Sequence, residues 1–480
     1  MVDSLGAGHG RLPDPNRRVR IVKDMESLGA HGHNRNNHSS GFANLPLARL
    51  LNVMAHVKLH ERKAAVLAFA CNFSLLSSYY ILRPLRDTTA TIFGVAELQN
   101  LFTGTFILIF LCSPLFSWFA ARTALSRLLP GVFWFFLSNL LIFYILFQLA
   151  PENRWVVAAY FCWFSSVNLI LISVFWTFMA DLFSAEQATR LYGFIAAGGS
   201  LGAIMGSIIT TSFVEIVGLN GLLLIAIAGF LLVIILLHMM MREKQRLREG
   251  GFDAQNTTLD HNLPGNPFRG FALLLKSSYL MGQAAFMLLM TWIATILYFL
   301  QTDLISQAYS DVEDRTIAFA DVDLFVNICS AAILILGLGR VMRKFGVTAS
   351  LVLSPVIMVA ACFAVILAPT LFMVQTARAL QRISQYAIAR PSREVLFTVV
   401  DQQSKYKAKN VIDTVVYGFG DLTAAWMQAG LRIGGFGLVG AVALGVGVST
   451  AWGFVAFALG KRYEAISGAR DVTPVVAAAE

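Results

Sequence analysis

The sequence predicts an all-α membrane protein, with twelve transmembrane helices in two six-helix bundles, and three observations carry that expectation. First, 57% of the 480 residues are apolar and only 14% are charged, against about 45–50% and about 25% in soluble domains. A water-soluble core stops growing near ~250–300 residues and cannot absorb that excess. Second, the apolar residues come in runs of about 20, the length that crosses a bilayer as a helix. Third, one long polar connector divides those runs evenly. With 13 Pro, 5 Cys and 37 Phe, collagen-like, disulfide-scaffold and disordered chains are excluded. Barrel strands alternate over about ten residues, and these runs are too long and too uniformly apolar for that.

Taken in order, residues 1–62 are polar, basic and rich in Gly and His, as in G-H-G-R near His9 and H-G-H-N-R-N-N-H from His31 to His38. They read as a disordered cytoplasmic tail rather than a metal site, because nothing in them fixes a coordination geometry. No apolar stretch with a small-residue cleavage site stands near Met1, so no signal peptide is expected. Leu47–His60 has the pattern of an amphipathic helix lying on the membrane surface.

The first bundle, residues 63–241, holds the runs Ala64–Leu82, Leu98–Phe119, Val132–Leu149, Trp155–Met179, Leu191–Val214 and Leu222–Met241. The connector, residues 242–278, contains N-L-P-G-N-P. The second bundle, residues 279–460, holds Tyr279–Phe299, Ala318–Gly337, Val347–Leu367, Leu371–Ala389, Val411–Gly430 and Leu438–Leu459. Residues 461–480 form a second tail. Cys71, Cys112, Cys162, Cys329 and Cys362 lie inside apolar runs without ligand spacing and read as small hydrophobes.

A net charge of +9 and a pI near 9.4 would point to nucleic acid in a soluble chain. In a membrane chain the basic residues are read by position, since cytoplasmic loops collect them. With the amino terminus inside, 30 of the 37 Lys and Arg fall in cytoplasmic segments. The outer loops hold Arg83, Arg86, Arg154, Arg315 and Arg432, and Arg378 and Arg382 lie within a span. The acidic loop of Asp303, Asp311, Glu313 and Asp314 falls outside. Both termini and the connector are therefore expected in the cytoplasm. This is the plan of a major-facilitator-type secondary transporter. The halves show faint similarity, Glu186–Gly199 laid over Lys405–Gly418.

Ionisable side chains inside a span are costly and mark function. At ~1.5 Å per residue, Arg378 lies about a third of the way into the tenth span and Arg382 near the midplane. Spaced i, i+4, they share one face, with Gln381 and Gln385 close to it. Guanidinium forks match phosphate or carboxylate, so they are expected to line a cavity for a small anionic substrate. The competing reading is a structural ion pair. Asp421, at similar depth in the eleventh span, is expected either to neutralise Arg382 or to carry a proton. Burial favours the neutral acid and a nearby arginine the carboxylate. Asp413, nearer the cytoplasm, is expected to pair with Lys405, Lys407 or Lys409.

The first helix ends in S-S-Y-Y-I-L-R-P-L-R-D-T-T, Ser77 to Thr89, where Pro84 can kink it. Arg83 and Asp87 are expected to neutralise one another there, leaving Arg86 as a net cation beside Tyr79 and Tyr80. The alternative is a snorkelling helix end. The expected substrate site is thus Arg86, Arg378, Arg382, Tyr79, Tyr80 and Gln381, with Asp421 and Asp87 as coupling or counter-ion groups.

Gly193, Gly198, Gly199, Gly202 and Gly206 follow no strand and lie in an apolar helix. They read as a close-packing face rather than a nucleotide loop, and G-G-F-G-L-V-G near Gly434 reads the same way. There is no nucleophile–base pair, zinc pattern or P-loop lysine. An enzyme, a catalytic residue, a cofactor, a metal and a nucleic-acid partner are therefore not expected.

Three stretches carry a family resemblance: Y-Y-I-L-R-P-L-R-D in the first helix, Ser173 to Gly199, and Lys405 to Asp421. The chain resembles the ATP/ADP translocases, the nucleotide transporters of plastids and obligate intracellular bacteria, and more closely their exchanger relatives in free-living bacteria. The resemblance covers both halves and neither tail. It implies twelve helices, nucleotide exchange and basic helix residues that recognise phosphates, in a bacterial inner membrane. The exchangers' first-helix lysine falls on Arg86, which keeps a cation. Their late lysine falls on Asp421, which reverses the charge. Their acidic residue within the fourth helix has no counterpart in Trp155–Ala180.

The sequence is read as a monomeric secondary transporter of an anionic, phosphate-bearing metabolite in the lipid bilayer, nucleotides leading. Proton-coupled movement of another solute or a lipid is the alternative, and a non-transporting scaffold or receptor is a third. A scaffold needs no charges at midplane depth, which counts against it.

Overall fold

The structure is a computed structural model that describes residues 61–120, 122–123, 125–150, 153–249, 269–336, 338–400 and 408–476. The histidine-rich stretch, the surface helix expected at Leu47–His60, most of the connector, and Lys405 and Lys407 lie outside them. The regular elements described are all helical. In chain order they are α1 (Arg62–Phe93), α2 (Leu98–Ala120), α3 (Leu125–Leu149), α4 (Arg154–Leu182), α5 (Ala185–Glu249), α6 (Arg269–Lys276) and α7 (Ser278–Ala308). There follow α8 (Val312–Leu336), α9 (Leu338–Leu367), α10 (Leu371–Ser384), α11 (Arg390–Leu396), α12 (Tyr417–Ile433) and α13 (Gly437–Val476).

These elements supply twelve spans in two groups of six. Among the described residues nine helices are long and apolar enough to cross a membrane. One of them, α5, carries the fifth and sixth spans, which meet where Gly218 leaves helical geometry at φ 65°, ψ −179°. The other two spans are less apolar. One is α10, continued by a π turn (Gln385–Ala389) into α11; the other is a π turn (Ile412–Val416) continued by α12. Both line the cavity described below, which explains their polarity. Exposed Phe110, Phe135, Ile145, Phe325 and Ile335 cover flanks that only a bilayer would solvate favourably.

The first helix is longer than its apolar run. Expected to end near Leu82, α1 continues through Pro84 to Phe93. Arg83 and Arg86 are therefore part of a span, not of an outer loop or a snorkelling end, and Arg83 is 8% exposed. Partners inside the protein neutralise the charges, so the helix has no reason to stop at them.

The glycine face of α5 packs on α1 as its spacing implies. A Cβ on Gly202 would stand 2.1 Å from the Phe73 carbonyl oxygen, and one on Gly206 would stand 2.2 Å from that of Ser77. Backbone oxygens cannot swing aside. Gly202→Val should cost roughly 3 kcal/mol or more through overpacking, seen as a lower unfolding temperature in detergent; an unchanged melt would show that α1 and α5 can separate freely. The second half repeats the arrangement more loosely, with Gly420 of α12 against Thr291 of α7, at 3.1 Å from a built Cβ. Its core is centred on Phe286, Met290, Leu297 and Trp452.

The run near Gly434 is a turn rather than a packing face. Gly435 and Gly437 take φ of 75° and 55° between α12 and α13, a region open chiefly to glycine, and neither has a neighbour against it. The five cysteines are free thiols.

The two halves meet along α5 and α8, along α2 and α12, and at the α1 carboxyl end. Thr88 and Thr316 share a hydrogen bond of 2.8 Å and Arg315 donates to Thr91 at 3.2 Å. Beneath them Leu98, Leu101, Phe161, Tyr298, Phe299 and Ala425 form an apolar plug.

Candidate functional site

Below that plug, a cavity of about 550 Å³ lies between the halves, walled by α1, α2 and α4 on one side and by α7, α10, α11 and α12 on the other. It runs from Arg86 and Phe102 at the plug to the exposed Glu394 at the opposite end. Six arginines line it: Arg83, Arg86, Arg378, Arg382, Arg390 and Arg393.

Their partners decide what the cavity can hold. Arg382 pairs with Asp323 of α8, and Arg83 approaches the same carboxylate oxygen at 3.7 Å. One acid, 1% exposed, thus serves two buried arginines from opposite halves. Arg86 pairs with Asp87, which also accepts from the Tyr298 hydroxyl at 3.1 Å. Arg393 pairs with Asp413 at 2.7 Å, and Lys409 with Glu394 at 2.5 Å. Arg378 and Arg390 have no carboxylate partner among the described residues. Arg378 donates through Nη1 to the Ala294 carbonyl at 2.8 Å and to Gln381 Oε1 at 2.7 Å. Arg390 lies over the Tyr386 ring at 5.1 Å, with Arg382 5.8 Å from the same ring.

The middle of the cavity therefore holds more guanidinium than carboxylate charge. Three polar atoms of the Arg382–Asp323 pair also go unsatisfied: Arg382 Nε and Nη2 and Asp323 Oδ2 are buried without a hydrogen-bond partner. Such groups are expensive to leave unpaired; they are closed off from the open cavity, so a bound anion reaches Arg382 Nε or Nη2 only when the side chain shifts. Aromatic faces alternate with the cations. Arg86 and Arg378 flank Tyr298, at 5.7 and 5.5 Å from its ring, and Tyr79 stacks on Phe164 at 5.3 Å. This combination suits a ligand with both a negative group and a flat or apolar part.

Of the residues singled out from sequence, Arg86, Arg378, Arg382, Tyr79, Tyr80 and Asp421 line this one cavity. Gln381 and Asp87 do not. Gln381 is buried behind the wall, where it orients Arg378 and donates to Gln385 at 2.7 Å; Asp87 is buried behind Arg86.

Two expected pairings are corrected. Arg83 faces Asp323, which it shares with Arg382, and Asp87 takes Arg86, so Arg83 rather than Arg86 is the less compensated cation of the first helix. Arg382 is served by Asp323, not by Asp421. Asp421 accepts from the Thr295 hydroxyl at 2.6 Å and forms no ion pair among the described residues. Asp413 binds Arg393, and of the expected lysines Lys409 takes Glu394 instead, while Lys405 and Lys407 lie outside the described residues. Asp323, Tyr298 and Tyr386 were not singled out from sequence. Asp323 carries the same signal as Arg382, an ionisable residue inside an apolar run; the two tyrosines carry none.

Twelve helices in two halves about one polar cavity define a secondary transporter. The chain matches the Major Facilitator Superfamily over residues 65–380; it belongs to that family, and is a multi-pass membrane transporter of a small molecule rather than an enzyme. Solved structures share the fold. One is a bacterial homologue of the human lysosomal transporter Spinster, inward-facing and unoccupied, at 15% identity, covering 86% of this chain and 98% of that one with a TM-score of 0.54. Another is the POT family transporter PepTSo, at 11% identity, covering 85% and 98% with a TM-score of 0.58. A third is a bacterial homologue of the iron transporter ferroportin in an inward-facing state, at 10% identity, covering 83% and 100% with a TM-score of 0.54. No curated protein matches the chain in sequence.

Proposed function

We propose that this transporter moves an anionic, phosphate-bearing metabolite by alternating access, with a nucleotide as the leading substrate, in the manner of the ATP/ADP translocase relatives that its first helix resembles. It would work as a monomer in a bacterial inner membrane with both termini in the cytoplasm, so that the cavity in this conformation opens inward. The observation that carries the reading is the cation surplus: Arg378 and Arg390 without carboxylate partners, beside Arg83 and Arg382 sharing Asp323. Phosphate oxygens are the natural complement of such forks, and the tyrosine and phenylalanine faces suit a nucleobase. The test is uptake into proteoliposomes preloaded with a panel of nucleotides, with and without a pH gradient. Counter-exchange of nucleotides supports the reading, and uptake only of uncharged or cationic solutes overturns it.

Asp421 favours proton coupling over plain exchange. Held by the Thr295 hydroxyl and without a cation partner, it can gain or lose a proton without dismantling the arginine network. Because Asp421 lines the same cavity as the arginines, a proton on it offsets the charge of a bound anion, and this supports symport of an anion with a compensating proton. For Asp421→Asn, this predicts that gradient-driven accumulation is lost while counter-exchange persists. Accumulation that survives the substitution removes Asp421 as the proton carrier.

A further inference from the structure

A second chamber adjoins the arginine cavity. It has a volume of about 290 Å³, lies in the cleft between α5 of the first half and α8 of the second, and shares four wall residues with the central cavity: Leu76, Tyr80, Ile172 and Tyr386. Its character is opposite. No Asp, Glu, Lys, Arg or His lines it; Leu75, Phe175, Trp176 and Ala203 do. Its polar groups are mostly committed elsewhere. Asn72 donates to the Ile195 carbonyl at 2.9 Å, Ser200 to that of Ala196 at 3.4 Å, and Asn327 to Ser207 at 3.5 Å. The chamber reaches the outer flank at Leu334, 48% exposed and next to Ile335 at 81%, a surface that faces lipid in a chain of twelve spans.

A charged site and an uncharged chamber thus meet at Tyr80 and Tyr386, and the chamber leads sideways into the bilayer. A free phosphate or a nucleotide fills only the first. We propose that, beside a nucleotide, the transporter accepts a phosphate ester bearing one hydrocarbon chain, its head among Arg378, Arg382 and Arg390 and its chain in the α5–α8 chamber. A fully polar solute would leave the chamber's apolar walls without a ligand, whereas a chain extends from them into the membrane without crossing water. The inference rests on the anion reading above and goes beyond it in substrate class.

The test is binding of radiolabelled dodecyl phosphate and glycerol 3-phosphate to the full chain in lipid nanodiscs. Each variant is compared with wild type, so partition of the alkyl ligand into the bilayer cancels. Ser330→Leu fills the chamber, and the hydroxyl it removes is buried without a hydrogen-bond partner. It should weaken dodecyl phosphate about tenfold or more, as overfilling a packed site does, and leave glycerol 3-phosphate within about twofold. Ala196→Phe, at an exposed wall position on α5, should do the same without disturbing the helix interface, and Arg378→Gln should weaken both ligands. Equal effects on both ligands in the filled variants, or no effect on dodecyl phosphate, overturn the chain site. Wild type that binds glycerol 3-phosphate but not dodecyl phosphate overturns it and leaves the anion reading standing. Wild type that binds neither overturns the chain site, and the anion reading then stands or falls on nucleotide uptake in proteoliposomes.

Discussion

Replacing Asp323 with Asn is expected to cost about 3–5 kcal/mol of stability, the usual consequence of removing one partner from a buried ion pair. The carboxylate is 1% exposed and stands between Arg83 and Arg382, themselves 8% and 4% exposed. The amide keeps the shape and removes the charge, so two guanidiniums from opposite halves then repel one another with no counter-ion. Two further outcomes separate this from a simple packing defect. Removing the second charge as well, in Asp323→Asn with Arg382→Gln, should recover most of the lost stability, since the coupled sites are non-additive. A saturating anionic substrate should also stabilise Asp323→Asn more than wild type, because the ligand supplies the missing negative charge in addition to its ordinary linkage effect. Thermal unfolding in detergent, with and without ligand, reads all three. A single variant as stable as wild type would show that the Arg83–Asp323–Arg382 group is solvated rather than buried.

The fold was legible because length and hydropathy suffice for it: a backbone in lipid must satisfy its own hydrogen bonds, so each apolar run of sufficient length is a helix. The errors fall where charge enters a helix. Arg83, Pro84 and Arg86 make Leu82 look like an end, yet α1 runs to Phe93 with Arg83 facing Asp323 and Arg86 paired with Asp87. The meeting of Arg378, Arg382 and Asp421 was legible too: they line one cavity. Pairing was not. Helical spacing relates Arg83 to Asp87 on their own helix, whereas the partner that reaches Arg83 is Asp323, on a different bundle. Nothing in the local sequence encodes which helices face each other, and Tyr298 and Tyr386 look like any other aromatic residues in an apolar run. The glycine runs show the same limit. Those of α5 lie within a continuous helix and pack, as expected, while the run at Gly434 sits at a helix end and turns.

Arg378 and Arg382, one helical turn apart, are expected to respond oppositely to the same substitution. Arg382→Gln leaves Asp323 with Arg83 alone at 3.7 Å, so it should destabilise the protein as well as impair binding. Arg378→Gln removes a cation that has no carboxylate partner. Burying an unpaired charge is unfavourable, so the ligand-free protein should be at least as stable as wild type. Binding should nevertheless fall by about 2–4 kcal/mol, roughly 30- to 1000-fold, the range for losing a charged partner in a desolvated site. The geometry supports that assignment. Nη1 is fixed by the Ala294 carbonyl and Gln381, while Nη2 makes no hydrogen bond among the described residues, so the fork is held with one nitrogen free for a ligand. An unpaired arginine that weakens the empty protein is retained only where a bound anion repays the cost, which makes the sign of the stability change the informative quantity. Calorimetric binding and a detergent melt on the two variants measure both. If Arg378→Gln binds the wild-type substrate with unchanged affinity, Arg378 is a structural cation and the anion site must be built from Arg390, Arg83 and Arg382 instead.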